Sequence, residues 1–175
     1  INENPVFTQA LLERLTELTV DYLNYQISSG VHAVQLFESF ADVISLELYE
    51  KYVQHTHEKI FNSLNPNTPS ILFTKESPHL ELMLQSGATA LSVGNCIDLK
   101  AATQLAPKVI FQGNVDNKIL ADGSKEDITK AVGKCFSETN RKNHILNLNH
   151  GLLERTPFEN VQHFVNVVKD LGGIK

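Results

Sequence analysis

Hydrophobic positions along this chain recur with two alternating periods, one suited to helices and one to buried strands. Leu11, Leu15, Leu18 and Tyr22 fall at helical spacing, joined by Leu12, Val20 and Leu23, and Gly30 offers a stop. Val31-His32-Ala33-Val34-Gln35-Leu36-Phe37 then reads as a first strand. Ser45 can cap a second helix with Tyr49, Tyr52, Val53, Thr56 and Ile60 on its buried face, and Asn65-Pro66 ends it. Ser70 to Thr74 reads as a second strand, and Ser77-Pro78 as a cap with proline at the first helical position of a helix that Gly87 closes. Ala88 to Val93 is a third strand, followed by a short helix capped by Asp98 that stops before Pro107. Lys108 to Gln112 is a fourth, followed by a loop through Asp122-Gly123 and a helix opened by Ser124 with Asp127. His144 to Leu148 is a fifth. Thr156-Pro157-Phe158-Glu159 then opens a helix burying Val161, Phe164, Val165, Val168 and Leu171 before Gly172-Gly173.

Short apolar strands separated by amphipathic helices predict βαβ units and a parallel sheet covered by helices. Two architectures carry such a sheet: an open doubly wound fold, or an arc of an eight-stranded barrel. The chain has no GxGxxG and no GxxxxGK[ST] phosphate loop, which the open fold would favour. The polar residues fall where a barrel would use them. At the strand ends stand Glu38-Ser39, Lys75-Glu76-Ser77, Gly94-Asn95-Cys96, Gln112-Gly113-Asn114 and Asn147-Leu148-Asn149-His150-Gly151. In α/β folds the site forms at these junctions.

Composition narrows the function classes. The chain has 175 residues, 42% of them apolar, enough for one core and too few for two comfortable domains. A formal charge of -5 disfavours a nucleic-acid partner, which would need a basic face. No apolar run reaches the roughly 20 residues that cross a bilayer, so no membrane partner is expected. Cys96 and Cys135 follow no metal-ligand spacing and fit a reducing compartment, most simply the cytoplasm. The first residue is Ile1 rather than Met, so the natural start of translation is expected upstream.

Among candidate chemical groups His150 ranks first. It leaves the fifth strand beside Gly151, where a sharp turn can present an imidazole to bind a carboxylate or move a proton. Ser39 ends the first strand without a GxSxG elbow or a triad pattern, which points to a hydrogen bond with substrate rather than to a nucleophile. Lys75 could supply positive charge, though a solvated lysine explains it equally. Cys96 suits packing as well as reactivity. His55 and His57, two apart on a helix, make a poor metal pair. They and His32, His79, His144 and His163 read as structural.

Taken in order, these segments resemble uroporphyrinogen decarboxylase. The resemblance rests on Gly30 to Ala41, on Ile71-Leu72-Phe73-Thr74-Lys75 with His79-Leu80, and on Gln112-Gly113-Asn114-Val115-Asp116. Its most specific part is Asn147 to Leu152 followed by Thr156 to Val161, and it runs from about Leu11 to Leu171. It implies an α/β fold: the C-terminal part, about five βα units, of a (β/α)8 TIM barrel, with residues 1–175 as a single partial barrel domain lacking its N-terminal strands. It implies a carboxy-lyase that removes the four acetate carboxyls of uroporphyrinogen III to give coproporphyrinogen III in heme or chlorophyll biosynthesis, with no metal and no organic cofactor. By resemblance Ser39 and His150 occupy active-site positions, Phe37 lines the cleft with an aromatic ring, and Gln112, Gly113 and Asn114 shape the mouth. The full-length protein is expected to be a homodimer in the cytoplasm, or in a plastid if the source is a eukaryotic phototroph.

Two departures accompany the resemblance. The family's aspartate, arginine pair and tyrosine come from strands earlier than these residues, so the chain alone is expected to be inactive. Gly94-Asn95 also stands where the family usually places an Asp-Trp pair, which implies altered packing there. A corrinoid-dependent, zinc-binding methyltransferase of the same barrel is an alternative, but Phe73-Thr74-Lys75 and Asn149-His150-Gly151 lack the cysteines it needs. A non-catalytic paralogue is the other.

Overall fold

A buried strand must satisfy its backbone by pairing, and a helix with one apolar stripe must lay that stripe on something; alternating them solves both needs. The computed structural model describes residues 4–172, with five strands hydrogen-bonded in chain order, β1 to β5. The described residues form two compact units, residues 4–73 with 79–91 and residues 74–78 with 92–172.

In the first unit α1 (Pro5–Ser28) starts as a capped helix should: Asn4 accepts a hydrogen bond from the Phe7 amide at 3.1 Å, and Pro5 sits in the first turn. Its recurring leucines do not form the buried face that their spacing suggests. Leu11, Leu15, Leu18 and Tyr22 are 45–63% exposed, whereas Thr16 and Leu23 are buried. Thr16 can be buried because its hydroxyl donates to the Leu12 carbonyl at 2.7 Å. β1 (Val34–Glu38) begins three residues later than the apolar run predicts, with Val31 exposed and Val34 buried.

The second predicted helix is present but not uniform. Ser45 caps α2 (Leu46–Leu48), a wider π-helical turn covers Tyr49–Gln54, and α3 (His55–Asn62) completes it before Asn65-Pro66. Tyr49, Tyr52 and Ile60 are buried as expected, and His57 and Phe61 join them. A π turn rotates the subsequent residues relative to a regular helix, which is how a histidine of no evident role in the sequence comes to point inward. β2 (Ser70–Thr74) matches its prediction. The helix expected to start at Ser77-Pro78 instead starts at Leu80, as α4 (Leu80–Leu84), with His79 at its cap position. β3 (Ala90–Ser92) is shorter than the apolar run. Where β2 and β3 begin, Ser70 and Thr89 exchange amide-to-hydroxyl hydrogen bonds at 3.2 and 3.3 Å.

In the second unit α5 (Leu99–Leu105) is capped by Asp98, which accepts from the Ala101 amide at 2.9 Å. β4 (Ile110–Val115) continues through Gly113 and Asn114, which the sequence suggests are loop. It pairs parallel with β5 (His144–Leu148), from Phe111 opposite His144 to Val115 opposite Leu148. The stretch read as loop after β4 holds a short helix, α6 (Asn117–Asp122), whose cap Asp116 bonds the Lys118 amide. α7 (Lys125–Thr139) opens on the predicted capping box: Ser124 and Asp127 satisfy each other's amides, at 3.2 and 3.0 Å. It buries Ile128, Val132, Cys135 and Thr139 along one stripe. α8 (Phe158–Gly172) packs on α7. It fully buries Val167, half-buries Val161, Phe164, Val168 and Leu171, and leaves Val165 exposed. The Gly173 of its predicted stop lies outside the described residues.

Two testable consequences concern stability. Ser124→Ala removes the cap of α7 and is expected to lower stability by about 1 kcal/mol, while Ser124→Thr, which keeps both the acceptor and the donor to Asp127, retains most of it; urea unfolding of the three forms checks this. His144 gives a pH dependence. Its Nε2 bonds the Gly113 carbonyl, which requires Nε2 to carry the proton, and its buried Nδ1 has no hydrogen-bond partner among the described residues. Burial holds this imidazole below its ordinary value of 6.5, opposed in part by the Gly113 carbonyl. The folded chain therefore binds its proton less readily than the unfolded chain, so stability is full above pH 6.5 and falls as acid is added. Between about pH 7.5 and pH 5 the urea midpoint is expected to drop more in the wild type than in His144→Gln.

Candidate active site at the strand ends

Each strand delivers its polar residues at its carboxyl end, where the backbone leaves the ladder and side chains are free of strand packing. In the first unit Ser39 follows β1 directly and is exposed. Phe37, the expected aromatic wall, is 63% exposed, its ring 5.4 Å from that of Phe73. Between them Glu38 ties the turn: Oε1 accepts from the Phe40 amide at 3.2 Å, and Oε2 faces His57 Nε2 at 3.8 Å. His57 is 3% exposed, with Nδ1 3.4 Å from the Tyr49 hydroxyl. The His57 hydrogen bond is the main reason that the Glu38 carboxyl is held below the usual range, against the opposing effect of burial. The Tyr49 phenol moves upward, chiefly from burial and then from the Glu38 charge. His79 completes the group, with Nε2 3.3 Å from the Ile44 carbonyl and its ring 5.1 Å from Tyr49. The buried group behind Ser39 is thus a Glu–His–Tyr chain that spacing alone does not reveal, because the π turn sets it.

In the second unit the ends of β4 and β5 are adjacent by register. Gln112 is buried, and its amide donates to the Ser92 hydroxyl at 2.9 Å. Gly113 has φ +122°, and a Cβ there would lie 2.7 Å from the Val93 carbonyl oxygen; this is a place where only glycine fits. Asn114 uses its amide on two carbonyls of the loop after β3, Gly94 at 2.9 Å and Ile97 at 2.7 Å. It also lines a cleft of about 390 Å³ with Asn95, Asp98, Asp116, Lys134 and Glu138. Of the three residues expected to shape the mouth, Gln112 and Asn114 thus direct their amides at neighbouring strand and loop atoms. His150 is exposed, two residues beyond β5.

The residues on either side of His150 are held firmly. Asn149 is 7% exposed; its side-chain Oδ1 accepts from the Asn117 backbone amide at 2.8 Å, and Asn117 Nδ2 donates to the Gly151 carbonyl at 2.7 Å. Asn149 Nδ2 donates to Glu76 Oε1 at 2.7 Å. The same carboxylate accepts from the Asn95 amide at 3.2 Å and the Cys96 amide at 3.1 Å. In sequence Glu76 stands at a junction with nothing to set it above its neighbour Lys75, which is half-buried. The one signal pointing to it is the glycine at position 94. Cys96 carries a thiol pushed up to about 11, mainly by burial and then by the Glu76 charge; Cys135 is raised by burial as well. Neither thiol has the depressed pKa of a reactive thiolate.

Among the described residues no cluster of three or more His, Cys, Asp or Glu side chains could hold a metal ion. Nor is any described helix long and apolar enough to cross a membrane.

Comparison with known proteins gives this geometry a family. The family profile described as Uroporphyrinogen decarboxylase (URO-D) matches residues 1–171. The uroporphyrinogen decarboxylase of Nostoc punctiforme is 36% identical over 179 aligned residues, covering 98% of this chain and 50% of that protein. That of Geobacter sulfurreducens is 37% identical, covering 93% of this chain and 49% of the relative. The chloroplastic uroporphyrinogen decarboxylase 2 of Arabidopsis thaliana is 34% identical, covering 95% and 43%. The chain therefore spans about half the length of the curated relatives it matches. Among solved structures, a methyltransferase from Methanosarcina mazei superposes with a TM-score of 0.78 at 21% identity, over 89% of this chain and 47% of that one. That likeness shows the fold, an α/β arrangement of about five βα units of a barrel. From the match along nearly its whole length, this chain belongs to the uroporphyrinogen decarboxylase family.

Proposed function

We propose that this chain forms part of a cofactor-independent decarboxylase that removes the four acetate carboxyls of uroporphyrinogen III, giving coproporphyrinogen III for tetrapyrrole synthesis. The observation that carries the reading is family membership over residues 1–171. The chemistry is compatible with the residues in hand. An electron-rich pyrrole, once protonated, is its own electron sink: the acetate C–C bond breaks, carbon dioxide leaves, the methylene carbon takes up a proton, and the ring gives back the proton it first received. The protein then has to supply orientation and electrostatics rather than an organic cofactor.

In this reading His150 binds a substrate carboxylate or moves a proton, and Ser39 donates a hydrogen bond to the substrate. Phe37 offers an aromatic wall. Gln112 and Asn114, through their bonds to Ser92 and to the loop after β3, keep the mouth in shape, and Gly113 permits the close strand approach there. The working protein is a homodimer in the cytoplasm or a plastid. The methyltransferase alternative has the fold likeness in its favour and no thiolate set at the two strand ends where one would be needed.

The test is uroporphyrinogen turnover by a protein of the relatives' full length that carries these residues, measured as coproporphyrinogen formed. His150→Asn is expected to lower kcat/KM by on the order of 10²-fold or more, as for loss of a proton-transfer group. Ser39→Ala is expected to act mainly by raising KM. The 175-residue chain alone is expected to release no carbon dioxide. Absence of turnover by the full-length protein would instead favour a non-catalytic paralogue, and stoichiometric zinc would favour the methyltransferase.

A further inference from the structure

Glu76 stands out as a charged side chain whose position is costly and whose contacts are complete. Its backbone has φ +44°, the left-handed region that a glutamate seldom occupies. Its carboxylate accepts three N–H bonds from two different loops: the amides of Asn95 and Cys96 after β3, and the side-chain amide of Asn149 after β5. Space for it exists because residue 94 is glycine. A Cβ on Gly94 would lie 2.6 Å from Glu76 Oε2 and 2.7 Å from Glu76 Cα.

From these observations we infer that Glu76 is a positioning residue, which fixes the loop bearing His150 through Asn149. The path is short and continuous. Glu76 orients the Asn149 side chain; the other end of that side chain holds the Asn117 amide; and Asn117 holds the Gly151 carbonyl. The two neighbours of His150 are thus anchored while the imidazole itself is exposed. With both oxygens of Glu76 engaged by N–H donors, its carboxylate acts as an acceptor for the loops rather than as a proton donor to a ligand. In function the role rests on the decarboxylase proposal, in which His150 acts on the substrate.

The experiment uses the full-length protein and reads two properties of His150 that require no substrate: amide exchange at residues 149–151 and the pH titration of its imidazole by NMR. Glu76→Ala and Asn149→Ala are each expected to speed that exchange at least tenfold and to move the titration. Glu76→Gln, which keeps one acceptor oxygen for Asn149, is expected to restore most of both. Gly94→Ala, which crowds both the carboxylate and the backbone of residue 76, is expected to mimic Glu76→Ala. Arg155→Ala breaks an exposed ion pair with Asp122 in the same unit and serves as the control for general loosening; it is expected to leave His150 unchanged. In turnover assays Glu76→Ala is expected to lower kcat at least tenfold with KM little altered. Unchanged exchange and titration in Glu76→Ala would overturn the role, as would an equal change in Arg155→Ala. Inactivity of the wild type would sink the decarboxylase reading alone, since exchange and titration still decide the positioning role.

Discussion

The parallel pairing of β4 with β5 is the constraint that creates the second unit's candidate site. Parallel strands send their carboxyl ends the same way, and the register that sets Val115 opposite Leu148 brings the residues just beyond each strand side by side. Asn117 and Asn149 are 32 positions apart in sequence, yet they bond directly because that register brings the two strand ends together. Gly113 is part of the same constraint: its missing Cβ lets β4 approach the carbonyl of Val93, just beyond β3. A register slip of one residue would turn every one of these side chains to the opposite face.

The two units support their exposed candidate residues by similar means. Behind Ser39 a half-buried Glu38, backed by buried His57 and Tyr49, holds the turn after β1. Around His150 the Glu76–Asn149–Asn117 chain holds the turn after β5. In each case an exposed polar group sits on a loop whose backbone is tied by side chains that are themselves buried or saturated. Preorganisation of this kind is what the proposed cofactor-independent reaction would demand, because a protein without a cofactor lowers the barrier by holding dipoles and donors in place beforehand.

How much of this is legible in the sequence depends on whether a signal is local. Strand cores, the Asp98 cap and the Ser124–Asp127 capping box are written in neighbouring residues, and they appear where expected. So do Ser39 and His150 at strand ends, since the end of an apolar run is visible in one dimension. The departures come from features decided at a distance. The leucine stripe of α1 has the right period but is exposed, because period says that a face is apolar and not that anything covers it. β4 continues through Gly113 and Asn114 because β5 is there to pair with them, although both residue types argue for a loop. α4 starts at Leu80 with His79 at its cap position, while Ser77, well suited to a cap, is buried before it. Glu76 is hardly legible for the same reason: apart from the glycine at position 94, nothing in the sequence hints that three donors from residues 95, 96 and 149 will converge on it.

Whether Glu76 could be an accident of the local turn is decided by magnitudes. Holding an L-residue in the left-handed region costs roughly 1–2 kcal/mol. Hydrogen bonds to a charged group contribute roughly 1.5–3 kcal/mol each when shielded, and a half-buried carboxylate retains only a fraction of that. With three such bonds, retention of even a third of that value leaves roughly 1.5–3 kcal/mol, enough to offset the backbone. The balance becomes unfavourable once the donors are lost, so the left-handed turn and the two loops hold or fail together. Glycine at position 76 would relieve the backbone at no steric cost but would leave Asn149 without its carboxylate acceptor and the Asn95 and Cys96 amides without theirs. The glutamate is therefore the better residue at this position only if the loops it gathers matter, and the loop after β5 is the one that carries His150.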